Sequence, residues 1–113
     1  MTLEQSKIFQ KSIISGSFNA SLAQGVVVDG HRYANRATID DLRLLIDYMT
    51  IKNTEPVPVK DADGGFAMLS LAQVKSVIDA LVVFGVECWM KKGQLEMQID
   101  ACSSVDSVLL VVW

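Results

Sequence analysis

Residues Ser70 to Cys102 read SLAQVKSVIDALVVFGVECWMKKGQLEMQIDAC, and this stretch decides the fold. Ser70 is a helix N-cap residue, and Gln73 three positions on completes a capping box that satisfies two otherwise free amide donors. Leu69, just before the cap, is placed to pack on Val74 as a hydrophobic staple. An apolar face then runs through Val74, Val77, Ile78, Leu81, Phe84, Cys88, Leu95, Ile99 and Cys102, the spacing of one side of an α-helix. A helix from Leu71 to near Asp100 would be about 45 Å long, more than a compact domain of this size needs to cover. Gly85 and Gly93 each weaken it by about 1 kcal/mol relative to alanine. Past Trp89 the stripe thins, with Lys91, Lys92 and Gln98 where a wide face would be apolar. The far end is therefore expected to project and pair with another chain.

Working back from Ser70, Phe66-Ala67-Met68-Leu69 reads as a strand and Asp61-Ala62-Asp63-Gly64-Gly65 as the turn before it. Pro56 and Pro58 confine Glu55–Lys60 to an edge strand, because proline lacks a ladder donor. Upstream, Thr38-Ile39-Asp40-Asp41 has a capping pattern. Leu42, Leu45, Ile46 and Met49 then mark an amphipathic helix ending near Lys52-Asn53. Gly25-Val26-Val27-Val28-Asp29-Gly30-His31-Arg32-Tyr33 reads as a hairpin, since Asp-Gly supplies the positive φ angles of a type I′ turn. Residues 1–24 form an irregular helical segment: Leu3, Ile8, Phe9, Ile13 and Ile14 keep no clean period, Gly16 interrupts, and Ser12, Ser15, Ser17 and Ser21 lower helix propensity. Beyond the long helix, Ser103-Ser104-Val105-Asp106 is a third capping pattern, and the Val-rich residues after it fit a short helix or a strand. The expected fold is α+β: a helix-dominated small domain over 25–113, with one or two β-hairpins and a long helix in its C-terminal half, preceded by the 1–24 segment.

The chain has 113 residues, 50% hydrophobic and 20% charged, with a formal net charge of −3. That apolar content argues against intrinsic disorder, and the acidic balance against a nucleic-acid partner, which needs clustered Lys and Arg. No apolar run is long enough for a membrane span, and residues 1–21 lack the apolar core of a secretory signal. Cys88 and Cys102 have no metal-ligand spacing and read as buried free thiols of a cytosolic protein.

Catalytic signatures are weak throughout. Asp61–Gly65 resembles the opening of a calcium loop, but Phe66 and Ala72 stand where that loop needs Gly and Glu, so a hairpin turn is the reading. His31, the one histidine, reads as a solvated turn residue, with no nucleophile elbow in the chain. Asp40 and Asp41 are explained as charges at a helix N-terminus. There is no phosphate-binding glycine loop, and Lys91-Lys92 sits among acids, with Glu87 and Lys91 spaced as an i,i+4 pair. No cofactor, metal or small-molecule substrate is implied. Partner binding fits better. Trp89 flanks the main apolar stripe beside Met90, and Leu109, Val112 and Trp113 belong to a nearly all-apolar tail. That tail is expected either in the core or against another molecule, tryptophan being enriched at interface hot spots.

The order of these pieces carries a resemblance: Gly25–Tyr33, Ile39-Asp40-Asp41-Leu42, Lys60–Gly64, Leu69–Val74, Cys88-Trp89-Met90-Lys91-Lys92 and Gln98-Ile99-Asp100-Ala101. Over roughly Gly25 to Val112 the chain resembles a domain family of unknown function found in bacteriophage and prophage tail-fibre and tail-associated proteins. The resemblance implies no catalytic residues. It implies a non-enzymatic structural or interaction module, located in the virion or the host bacterial cytoplasm, with a phage tail or fibre protein or a second copy as partner. A tail-fibre assembly chaperone absent from the virion and an inhibitor of a host protein are the alternatives.

Overall fold

The structure, a computed structural model, describes residues Met1–Trp113. Its elements are helix α1 (Leu3–Gln24), strands β1 (Val26–Val28) and β2 (His31–Tyr33), helix α2 (Arg36–Lys52), strands β3 (Val57–Lys60) and β4 (Phe66–Leu69), and helices α3 (Leu71–Ala101) and α4 (Val105–Leu109). The fold is the expected helix-dominated α+β arrangement, with both hairpins present and α3 uninterrupted at Gly85 and Gly93. The chain divides into two compact units, Ala23–Gly85 and Met1–Leu22 with Val86–Trp113. Residues 1–22, set apart by sequence, thus share a unit with the second half of α3 and with α4.

In the Ala23–Gly85 unit, β1 and β2 pair antiparallel with Val26 opposite Tyr33 and Val28 opposite His31. The turn residues Asp29 (φ 50°) and Gly30 (φ 80°) are both left-handed, as a type I′ turn requires. Gly25 (φ 66°) has no room for a side chain, because a Cβ there would run into the Tyr33 carbonyl and Ala34. Strands β3 and β4 pair Val57 with Leu69 and Lys60 with Phe66. The pleat turns Val59, Ala67 and Leu69 inward and leaves Phe66 and Met68 exposed. Helix α3 contributes Val74, Val77, Ile78 and Leu81 to the core, against Tyr33, Leu42, Met49 and the inward strand residues. Both halves of the predicted capping box form: the Ser70 amide donates to Gln73 Oε1 at 2.8 Å and the Gln73 amide to Ser70 Oγ at 3.2 Å.

Helix α2 begins earlier than its sequence suggests. Its N-cap is Asn35, whose side chain accepts from the Thr38 amide at 3.4 Å, while the Thr38 hydroxyl turns back to the Ala34 carbonyl at 2.7 Å. Asn35 is as good a cap as threonine, and it moves the start three residues upstream. At the other end Asn53 adopts φ 47° and the Thr54 amide bonds the Met49 carbonyl, closing the helix as a Schellman-type cap.

In the second unit, Ile14, Ile99 and Val108 are fully buried, with Leu3, Leu95, Cys102, Val111 and Trp113 packed around them. The inner stripe of the second half of α3 is therefore covered by α1 and α4 and does not stand bare as its length implied. Helix α4 is capped by Ser104, one residue later than the Ser103 pattern suggested, with Ser104 Oγ accepting from the Ser107 amide at 3.2 Å. The Val-rich segment resolves as this short helix followed by irregular chain, not a strand. The end of α3 is met by cations: Lys7 Nζ donates to the Asp100 carbonyl at 2.8 Å, and Lys11 pairs with the Asp100 carboxylate at 2.7 Å. Positive charge is favourable at a helix C-terminus. Cys88 is buried and Cys102 half-buried, both as free thiols.

Ile99→Ala is expected to cost about 2–5 kcal/mol through the cavity it leaves. Hydrogen exchange should then accelerate in 1–22 and 86–113 before 23–85. Gly25→Ala should lower the melting temperature of the Ala23–Gly85 unit, the left-handed backbone alone costing about 1–2 kcal/mol. Thermal unfolding followed by circular dichroism checks that.

Candidate functional site

Two regions concentrate surface chemistry, one in each unit. In the Met1–Leu22 and Val86–Trp113 unit, several large apolar side chains stand outward among polar ones. Trp89 is 68% exposed, Met90 51%, Leu109 41% and Val112 65%. These four stand at the surface, as an interface requires. Trp113 does not stand with them. It packs on the Ile14–Ile99–Val108 cluster, edge-on to Phe18 with ring centroids 6.2 Å apart, and Lys91 Nζ lies 4.4 Å from its ring centroid. Of the two destinations its sequence allowed, Trp113 takes the core. Lys91 meets this ring as a cation–π contact, not Glu87 as its spacing suggested, and Lys92 takes Glu96 at 3.5 Å.

Sequence reasoning missed other members of this surface. Val86, Met97 and Leu110 are exposed, as are Ile8, Phe9 and Ile13 on α1. Helix α1 is inverted relative to an ordinary amphipathic helix. It buries Ser6 and Gln10 beside Ile14, each polar group being satisfied: Ser6 Oγ donates to the Leu3 carbonyl at 2.6 Å and Gln10 Nε2 to the Val111 carbonyl at 2.7 Å. The missing apolar period in 1–24 was itself the signal, because such a helix has no wholly polar side to give to water.

The other region lies in the Ala23–Gly85 unit. His31 is not a free turn residue: its Nδ1 lies 2.8 Å from Asp61 Oδ2. Asp61 Oδ1 also accepts from the Asp63 and Gly65 amides, at 2.9 Å each. Its oxygens are thus occupied by the turn and by His31. Beside it Arg32 grips Asp63, with Arg32 Nη2 2.8 Å from Asp63 Oδ1, and Nη1 donates to the Ala23 and Gln24 carbonyls. The Ala62 amide donates to the Arg32 carbonyl at 2.7 Å. These contacts tie the β1–β2 hairpin to the β3–β4 turn. Hydrogen bonding from His31 holds the Asp61 carboxyl below its ordinary value, and Arg32 does the same for Asp63. The buried Tyr33 hydroxyl has no hydrogen-bond partner, and burial, with Asp61 and Asp29 nearby, pushes its pKa up.

A shallow depression beside His31 is lined by Asp29, Tyr33, Phe66, Met68 and Gln73 among others, and by no serine, threonine or cysteine. The one hydroxyl in its lining is that of Tyr33, which is buried. Comparison with protein-family models, curated proteins and solved structures finds no match for the chain.

The lowered carboxyl values set a pH dependence. A depressed folded-state pKa contributes stability above the unfolded value, about 3.9 for aspartate, and loses it as pH falls through the folded value. The melting temperature should therefore fall below about pH 4. Asp61→Asn and Asp63→Asn should each flatten that fall and lower the neutral-pH melting temperature, as measured by thermal unfolding across the acid range.

Proposed function

We propose that this chain is a non-enzymatic interaction module of phage origin, associated with a tail or tail fibre, and located in the virion or, during assembly, in the host bacterial cytoplasm. The observation that carries the interaction reading is the outward placement of Trp89, Met90, Leu109 and Val112 on one compact unit. Tryptophan is enriched among the residues that anchor protein interfaces. The phage context rests on the order of sequence elements from Gly25 to Val112. The non-enzymatic reading is supported by the His31 cluster, whose polar groups bond one another across the two hairpins. No helix is long and apolar enough to cross a membrane.

Mass spectrometry of purified phage particles from a strain carrying the gene tests the context. Recovery in the tail fraction is the expected result. Recovery with free fibres but not with particles identifies an assembly chaperone, and capture of a host protein from uninfected lysate identifies an inhibitor. Trp89→Ala and Val112→Ser should leave stability within about 0.5 kcal/mol of wild type, as surface changes do. Each should weaken binding to the tail fraction about tenfold or more in a titration, as expected of a hot spot.

A further inference from the structure

Strand β4 has one edge whose main-chain groups are unpaired. The Asp61 amide bonds the Gly65 carbonyl at 2.8 Å, in the same register as the β3–β4 pairs. Bonded and non-bonded pairs alternate along an antiparallel ribbon. Val59–Ala67 and Val57–Leu69 are therefore bonded pairs, and Lys60–Phe66 and Pro58–Met68 are not, in keeping with the amide that proline lacks. The amides and carbonyls of Phe66 and Met68 thus point away from β3, and none of them meets another backbone group. The two strands of this hairpin differ in a second respect. Strand β3 carries Pro58 and Lys60, residues that blunt an exposed edge, whereas β4 carries neither proline nor charge.

A groove follows this open edge. All four residues of β4 line it, although the pleat turns Ala67 and Leu69 to the core and Phe66 and Met68 outward; what the four share is the edge of the strand. Val28, Asp29 and His31 at the end of the first hairpin form the facing wall. Two further polar groups of the lining lack a partner: the buried Tyr33 hydroxyl, and the Asp29 carboxylate, which enters none of the chain's ion pairs.

We propose that this groove binds an extended peptide segment of a partner protein as a third strand beside β4. Alternating free amides and carbonyls along a strand edge are matched by another main chain, at the strand spacing of about 4.8 Å. Leu69 and Val77 in the lining call for apolar residues at alternate positions of the segment. Asp29 calls for a lysine or arginine where the segment passes the Asp29-Gly30 turn, and a segment carbonyl supplies the acceptor that the Tyr33 hydroxyl lacks. The groove's volume, about 260 Å³, falls below the roughly 300–1,000 Å³ of sites that enclose a drug-sized ligand, whereas a segment lying along an edge needs no enclosure. The groove belongs to the Ala23–Gly85 unit, and its reading does not depend on the Trp89 surface.

Selection from a displayed random heptapeptide library on the full chain, then titration of the selected sequences as acetylated, amidated peptides, tests this. Selected peptides should alternate apolar residues and carry one lysine or arginine, and their binding should slow hydrogen exchange at the Phe66 and Met68 amides about tenfold or more. Met68→Pro removes an outward donor without breaking the β3–β4 ladder. It should leave the circular dichroism spectrum unchanged and weaken binding about tenfold or more. Met68→Thr keeps that donor and should bind as wild type does. Asp29→Asn should weaken the basic peptide but not the same peptide with glutamine in place of its basic residue. Failure to select any peptide overturns the proposal, as does a bound peptide that leaves the Phe66 and Met68 amides unprotected. Loss of binding in Met68→Thr equal to that in Met68→Pro overturns it in favour of side-chain docking. Protection of the same amides in a peptide-free dimer overturns it in favour of a second copy. Trp89→Ala should leave peptide binding unchanged, so tail association and peptide binding can each fail without the other.

Discussion

One helix supplies residues to both hydrophobic clusters. Val74, Val77, Ile78 and Leu81 help fill the first, and Ile99 with Leu95 and Cys102 builds the second. A helix of 31 residues cannot be stabilised by its own hydrogen bonds alone, since tertiary burial of an apolar face supplies most helical stability in proteins. Each half of α3 is therefore secured by a different set of partners: hairpins and α2 for the first half, α1 and α4 for the second. Loss of either set leaves a stretch containing a helix-weakening glycine, at position 85 or 93, with no compensating burial.

The polar contacts divide in a similar way. In the Ala23–Gly85 unit, two hairpins of three and four residues per strand are too short to stand alone, as isolated two-stranded ribbons are marginal in water. Their side chains bury against α2 and α3, and Asp61 and Asp63 reach across to His31 and Arg32. Because Asp61 also organises its own turn through the Asp63 and Gly65 amides, one carboxylate fixes both the local bend and the contact to the neighbouring hairpin. The bond from His31 and the turn amides together account for its lowered pKa.

Local chemistry was legible in the sequence wherever a short-range bond decided the outcome. Ser70 with Gln73, Asp29 with Gly30, and Lys52-Asn53 each set a boundary through contacts a few residues apart, and each lies where its residues implied. Two caps shifted: Asn35 and Ser104 cap their helices where Thr38 and Ser103 were near-equal candidates. Long-range pairings were not legible. His31 and Asp61 are 30 positions apart, and nothing in either neighbourhood names the other. Trp113 has no periodic context from which burial can be read, so its place against Phe18 and Lys91 emerges only once α1 lies beside the end of α3.

The same limit explains the surface. The inner stripe of α3 continues to Ile99 and Cys102, so a reading that follows one stripe meets Met90, Gly93 and Met97 as departures from it. Seen as a second stripe, they keep a period of their own on the opposite side. Scattered exposed apolar residues need no explanation. Residues that recur along one side of a helix are another matter, because a solvated helix face is ordinarily polar. Helix α1 points the same way from the other direction: it buries Ser6 and Gln10 and exposes Phe9 and Ile13. Turning α1 to bury those apolar side chains would take Gln10 away from the Val111 carbonyl and uncover Ile14. The chain's own core therefore cannot absorb these apolar side chains by a simple rotation of α1.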